Sequence, residues 1–268
     1  MKRSPIPLVN RLVAYSSFFF ALFALVSCVQ LSETGQNAFI ITTPQQEMAL
    51  GTQAFNDLKS KMKVSDNSAK RAQVKRVADR LKKVVSLPGG EWEVVLFDEP
   101  TPNAFALPGG KIGVHTGILP LTKTDAGLAV VIGHELAHVT LRHGGQRMSQ
   151  QAAVSGAATL ADLFTKDSNP RTRQITMAAY GLGAQYGLIL PYSRTHEYEA
   201  DRYGMIYMAK AGYNPEEAIA FWKRMIDYSK KRGGKPLEFL STHPADHNRI
   251  AKLKEHLPSA LNLYKLHQ

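Results

Sequence analysis

Residues 131–145 read VIGHELAHVTLRHGG, and no other stretch constrains the chain as tightly. His134 and His138 are four apart, so on a helix they share one face. Both imidazoles can grip one metal ion there, with Glu135 beside it. Two imidazoles, one further carboxylate and an open water position make a site that suits zinc, one ion per chain. Zinc lowers the pKa of its water, and Glu135 is the base expected to take the proton. Val130, Val131 and Ile132 make the preceding turns apolar, so the motif enters a core where unpaired His and Glu would be costly. On the motif alone, a helix with two core or solvent-facing histidines is the competing reading.

A third ligand is needed, and SRTHEYEADRYG at residues 193–204 offers one. Glu197 and Asp201 share a helical face, with the small Ala200 and Gly204 beside them to let another helix approach closely. Glu197 suits a ligand, and Asp201 suits an acceptor for the Nδ1–H of a ligand histidine. Glu199 is expected to point away, and His196 to lie off the face. A salt-bridged surface helix is the alternative, since Arg194 and Arg202 are near.

Four segments then appear in order: NAFALPGGKIGVHTGIL, HELAHVTLRHGGQRM, SRTHEYEADRYG and STHPADHNRI. Together, over roughly residues 45–256, they resemble the gluzincin metallopeptidases of the HtpX, Oma and CAAX-prenyl endopeptidase family. The resemblance is strongest to the periplasmic lipoprotein branch, similar to LoiP and BepA. It implies zinc held by His134, His138 and Glu197, with Glu135 as general base and acid. It also implies that Asn103 and Ala104 open an edge strand to which an extended substrate adds by backbone hydrogen bonds. For Phe105 an ordinary core position is expected. His243, in Thr242-His243-Pro244, would either support the oxyanion or occupy the open zinc position and hold the enzyme inactive; a plain helix-entry histidine is equally compatible. Surface salt bridges are expected for Arg194 and Arg249, a helix-end position for His143 and exposure for His247; His115 is left undecided beside the cleft. The multi-span membrane architecture of some relatives and the tetratricopeptide repeats of others are not expected here, so prenyl-protein processing and a built-in docking platform are not expected either.

The N-terminus reads as an address. A basic stretch ends at Arg11, and the uncharged LVAYSSFFFALFALV of residues 12–26 has the length of a signal-peptide core. Leu25-Val26-Ser27-Cys28 resembles a lipobox, with Cys28, the single cysteine, as the lipidated residue. One cysteine excludes an internal disulfide framework. An uncleaved signal anchor is the alternative. Residues 1–27 are thus expected to be a lipoprotein signal peptide, 28–43 a lipidated tether and 44–268 the metallopeptidase domain. Val29 in place of Asp points weakly to the outer membrane, facing the periplasm.

Hydropathy patterning predicts helices from Pro44 to about Met62 and from about Asn67 to Val85. Strands follow at Trp92–Phe97, Asn103–Leu107 and Lys111–His115. A helix over Asp125–His143 should end at Gly144-Gly145. Residues 150–190 read as a helical hairpin of small residues, and helices at about 193–211, 215–230 and 245–256 complete the chain. The fold class is α+β: one mainly helical zincin-like domain, with a small early sheet and the HExxH helix at its centre. The formal charge of +11 is concentrated between Lys59 and Lys83, where a solvated helix face is expected and anionic lipid is the next option. Nucleic acid is not an expected partner. The activity that follows is cleavage of unfolded or misassembled envelope proteins for quality control. A chaperone or assembly factor with little proteolysis is the alternative.

Overall fold

A computed structural model describes residues 28–166, 168–185, 189–231, 238–244 and 247–268. The signal-peptide reading of residues 1–27 lies outside them. The described residues open with an antiparallel ribbon of β1 (Cys28–Gln30) and β2 (Asn37–Phe39), in which Val29 pairs with Ala38. Helices α1 (Pro44–Lys61) and α2 (Ser68–Lys82) follow. Next come β3 (Glu93–Phe97), β4 (Ala104–Leu107) and β5 (Lys111–His115), and a 3-10 turn leads into the short α3 (Leu119–Thr122). The rest is helical: α4 (Asp125–Thr140), α5 (His143–Thr165), α6 (Pro170–Ala184), α7 (Leu190–Lys210), α8 (Glu216–Lys231), α9 (Glu238–Thr242) and α10 (His247–Leu266).

Local chemistry sets these boundaries. Thr43 caps α1 in a reciprocal capping box: its hydroxyl accepts from the Gln46 amide (3.2 Å), and the Gln46 side chain accepts from the Thr43 amide (2.9 Å). Asn67 caps α2, whose Val74, Val77 and Leu81 are fully buried. In the three-stranded sheet β5 is central, parallel to β3 and antiparallel to β4, so β4 forms an edge. That edge strand packs against α4. Phe105 packs on Phe55, Phe97 and Gly113, which is the structural position expected of it.

The core is built around α4, every residue of which from Gly127 to Val139 is buried. It lies along α7, and the two helices meet backbone to backbone. A Cβ on Gly204 would stand 2.9 Å from the His134 amide nitrogen, and one on Gly133 would stand 3.0 Å from the Gly204 carbonyl oxygen. The small residue at 204 therefore does what its spacing suggested, and Ala200 is fully buried. Gly204→Ala must push the helices apart, and should lower stability by about 1–3 kcal/mol in urea denaturation.

Several expectations need correction. Residues 28–43 are not a loose tether. Leu31, Ala38 and Ile40 bury a small apolar cluster, and the Ile41 amide donates to Ser149 Oγ at 2.9 Å, fixing the segment to α5. α4 does not run to His143. Arg142 takes a left-handed conformation (φ 53°), and α5 starts at the next residue. Gly145 therefore lies inside α5 rather than ending α4. It stays a glycine position because a Cβ there would come within 2.1 Å of Glu47 Oε1. Glu47 is buried and accepts from Arg142 Nη2 at 2.8 Å. α9 was not foreseen, and α10 continues through Pro258 to Leu266. The hairpin over residues 150–190 does form, from α5 and α6 packed on each other. It leaves Leu160, Leu163, Phe164, Ile175 and Leu182 exposed. No described helix is long and apolar enough to cross a membrane.

Candidate metal centre

Four elements converge on one buried point. α4 supplies His134, Glu135 and His138; α7 supplies Glu197 and Asp201; the residue after α9 is His243; and α10 supplies Arg249. The start of α4 is fixed by Thr124, whose hydroxyl accepts from the Gly127 amide. Asp125, in the first turn, accepts a forked pair from Arg76 (2.7 and 2.9 Å). Those contacts set the register that turns positions 134 and 138 toward α7.

His134 Nε2 and His138 Nε2 stand 3.1 Å apart, and Glu197 reaches both, at 3.3 Å from Oε2 and 3.3 Å from Oε1 respectively. A tetrahedral site with metal–ligand bonds of about 2.0–2.1 Å has ligand–ligand edges of about 3.3–3.4 Å. The three donors are therefore spaced for one zinc-sized ion, and they are the donor types zinc takes. His243 Nδ1 is 3.2 Å from His134 Nε2 and 3.0 Å from Glu197 Oε2, so it stands as a fourth donor in the same cluster. Glu135 Oε1 is buried without a hydrogen-bond partner among the described residues, with His243 Nε2 at 3.3 Å. A carboxylate oxygen orphaned in a core is costly unless a ligand or water partners it.

Asp201 accepts from His134 Nδ1 at 3.0 Å, as its spacing implied. Arg249 is not on the surface. It is 1% exposed, donates to both oxygens of Asp201 (Nη2–Oδ1 2.8 Å), approaches Glu197 Oε2 at 3.2 Å and lies 3.6 Å over the Trp222 ring. A buried Asp201 carboxylate needs a cation, and helical periodicity does not say which one. Arg194 is exposed, as expected of a surface side chain.

His143, expected at the end of α4, instead opens α5. It is fully buried, with Nδ1 2.8 Å from His138 Nδ1 and Nε2 3.1 Å from Glu199 Oε2. Glu199 does leave the Glu197–Asp201 face, but it turns onto His143. His196 stacks on His143 at 4.0 Å and pairs with Gln146. His115 is buried, bonds the Thr101 carbonyl at 3.1 Å and packs edge-on against Phe97 and Phe105, so it belongs to the sheet's aromatic cluster. The side chain of His247 lies outside the described residues. Ala104, the first residue of β4, is 2% exposed, and the Asn103 carbonyl accepts from the His115 amide at 3.0 Å.

Electrostatics follow from the burial. Burial alone would raise the Glu197 carboxyl, but the hydrogen bonds of His134, His138 and His243 outweigh it and leave it far below the usual carboxylate range. His134 loses basicity to burial and to Arg249, yet Asp201 and Glu197 more than offset both and bring it to about 9. Burial dominates at His138 and pushes it well below 6.5.

Residues 68–257 match the profile of peptidase family M48. The chain is 40% identical over 187 residues to the mitochondrial metalloendopeptidase OMA1 of Schizosaccharomyces pombe, covering 70% of this chain and 53% of that one. It is 37% identical over 184 residues to its namesake in Saccharomyces cerevisiae, covering 67% and 51%. A putative beta-barrel assembly-enhancing protease of Vibrio cholerae is 29% identical over 230 residues, covering 85% and 47%. The chain thus spans about half the length of these relatives.

Proposed function

The chain belongs to peptidase family M48, and from that premise we propose that it is a zinc-dependent endopeptidase whose metal is held by His134, His138 and Glu197. The observation that carries the reading is the 3.1–3.3 Å spacing of these three donors around one buried point. A zinc bound there supplies Lewis acidity and brings the pKa of a water to about 7. Glu135, whose Oε1 makes no hydrogen bond among the described residues, takes the proton of the attacking water and returns it to the leaving amine. Asp201 and Arg249 hold His134 in its ligand tautomer. The free edge of β4, which starts at Ala104, takes up an extended peptide by backbone hydrogen bonds, which tolerates many sequences; the Asn103 carbonyl is already taken by the His115 amide, so Asn103 borders that edge rather than offering its carbonyl to it. Cleavage of unfolded or misassembled envelope proteins is the substrate class proposed, supported by the similarity to the beta-barrel assembly-enhancing proteases. The basic, apolar and Cys28-containing leader supports lipid tethering at Cys28, with the domain facing the periplasm, at the outer membrane.

Purified full-length chain should carry one zinc by elemental analysis. Its casein cleavage should be abolished by a chelator and restored by zinc. A chain that cleaves equally well without metal overturns the reading.

His243 has two possible roles, and its position favours one. Its Nδ1 stands at 3.0–3.2 Å from two of the proposed ligands, within reach of an ion that they would hold. The geometry supports a latent state in which His243 fills the fourth position. His243→Ala should then raise the rate of casein cleavage several-fold. If His243 instead supports the oxyanion, the same substitution lowers kcat by about 10²–10³.

A further inference from the structure

We propose that His143 is a positioning residue: it fixes the tautomer and ring orientation of His138 and passes the hydrogen bond on to Glu199. This rests on the metallopeptidase reading above. His138 directs Nε2 at the donor cluster, so as a ligand it carries its proton on Nδ1. The group facing that proton is His143 Nδ1, at 2.8 Å. His143 can accept there only with its own proton on Nε2. At 3.1 Å from that nitrogen stands Glu199 Oε2, an acceptor. One assignment satisfies the whole chain: His138 Nδ1–H donates to His143 Nδ1, and His143 Nε2–H donates to Glu199.

The two histidine ligands thus end on carboxylates of the same helix by different routes. His134 reaches Asp201 directly, at 3.0 Å. His138 reaches Glu199 through an inserted imidazole. Carboxylate or carbonyl partners of this kind hold a ligand ring and raise its basicity.

The surroundings leave His143 little freedom. It is 0% exposed, and His196 lies parallel to it at 4.0 Å with an interplanar angle of 12°. Its backbone is placed by the left-handed turn at Arg142, and Arg142 is pinned by Glu47 and by the Thr42 carbonyl at 2.8 Å. The break that ends α4 early therefore has a consequence at the site, because it turns residue 143 back under His138.

The test is zinc affinity, read by competition with a chromogenic chelator, for wild type, His143→Phe, His143→Asn and Glu199→Ala. Phe keeps the ring and its stacking but accepts no hydrogen bond; affinity should fall about 10–100-fold. Asn offers Oδ1 where Nδ1 stood and should recover most of that loss. A purely packing role predicts the reverse order, with Phe above Asn, and would overturn the proposal. Should the Phe variant not fold, Glu199→Ala decides. Glu199 is partly exposed, so the fold tolerates its loss, and affinity should still fall several-fold; wild-type affinity overturns the relay. Nitrogen-15 NMR of zinc-loaded wild type should show His138 protonated at Nδ1 and His143 at Nε2, and a proton on His143 Nδ1 contradicts the assignment. A wild-type chain that binds no zinc overturns the metallopeptidase reading, and the relay with it.

Discussion

Glu135→Gln should lower kcat/KM for casein by about 10²–10⁴-fold while leaving zinc content and melting temperature close to wild type. Gln keeps the size and hydrogen-bonding oxygen of Glu but cannot take a proton. Glu135 Oε1 is buried and makes no hydrogen bond among the described residues, and its one close polar neighbour is His243 Nε2 at 3.3 Å, which the Gln side-chain oxygen can still face. The neighbours of the proposed ligands are likewise untouched, because His134 is held by Asp201 and His138 by His143. Loss of cleavage with retained zinc assigns the proton transfer to Glu135. Retained cleavage moves the base elsewhere. A variant that loses cleavage yet keeps full biological function would favour a binding or assembly role over proteolysis.

Arg249→Met should cost about 3–5 kcal/mol in urea denaturation, the largest stability effect expected of any single change here. Arg249 is enclosed, and its guanidinium engages both oxygens of Asp201. Removing it strands that carboxylate in the core. Burial tends to raise the Asp201 carboxyl, but the charge and hydrogen bonds of Arg249, aided by His134, hold it below 3.8. A carboxyl depressed in the folded state stabilises above its unfolded pKa, and that contribution disappears as pH falls through the folded value. The gap between wild type and Arg249→Met should therefore be widest near neutral pH and narrow on acidification. Asp201→Asn in the Arg249→Met background should recover part of the loss, since the stranded charge is then gone. A wild-type denaturation midpoint in Arg249→Met would contradict this account of the network.

What could be read from sequence was whatever a single helix presents on one face. His134 and His138, and Glu197 and Asp201, are pairs four apart, and each pair faces the point its spacing implied. The close approach at Gly204 follows from residue size alone. The mainly helical architecture with an early sheet was also legible, because caps such as Thr43 and Asn67 and the alternation in the strands are local signals.

The misreadings share a different cause. His143 looked idle because a continuous helix would turn it off the ligand face, and the left-handed break at Arg142 depends on Glu47, 95 positions away. Arg249 looked like a surface cation because nothing near it in sequence reports Asp201, 48 positions back. Residues 28–43 were read as a tether on their Ser, Thr, Gly and Asn, although the apolar Val29, Leu31, Ala38, Phe39, Ile40 and Ile41 stand among them. Their order comes from contacts with α5, which composition does not reveal.

The central claim is that His134, His138 and Glu197 hold one metal ion. An anomalous difference map at the zinc edge, from crystals of the zinc-reconstituted protein, tests it most directly. The account predicts a single peak per chain, bonded to the Nε2 atoms of His134 and His138 and to the Glu197 carboxylate. A peak on other residues, or none between these three side chains, would contradict it.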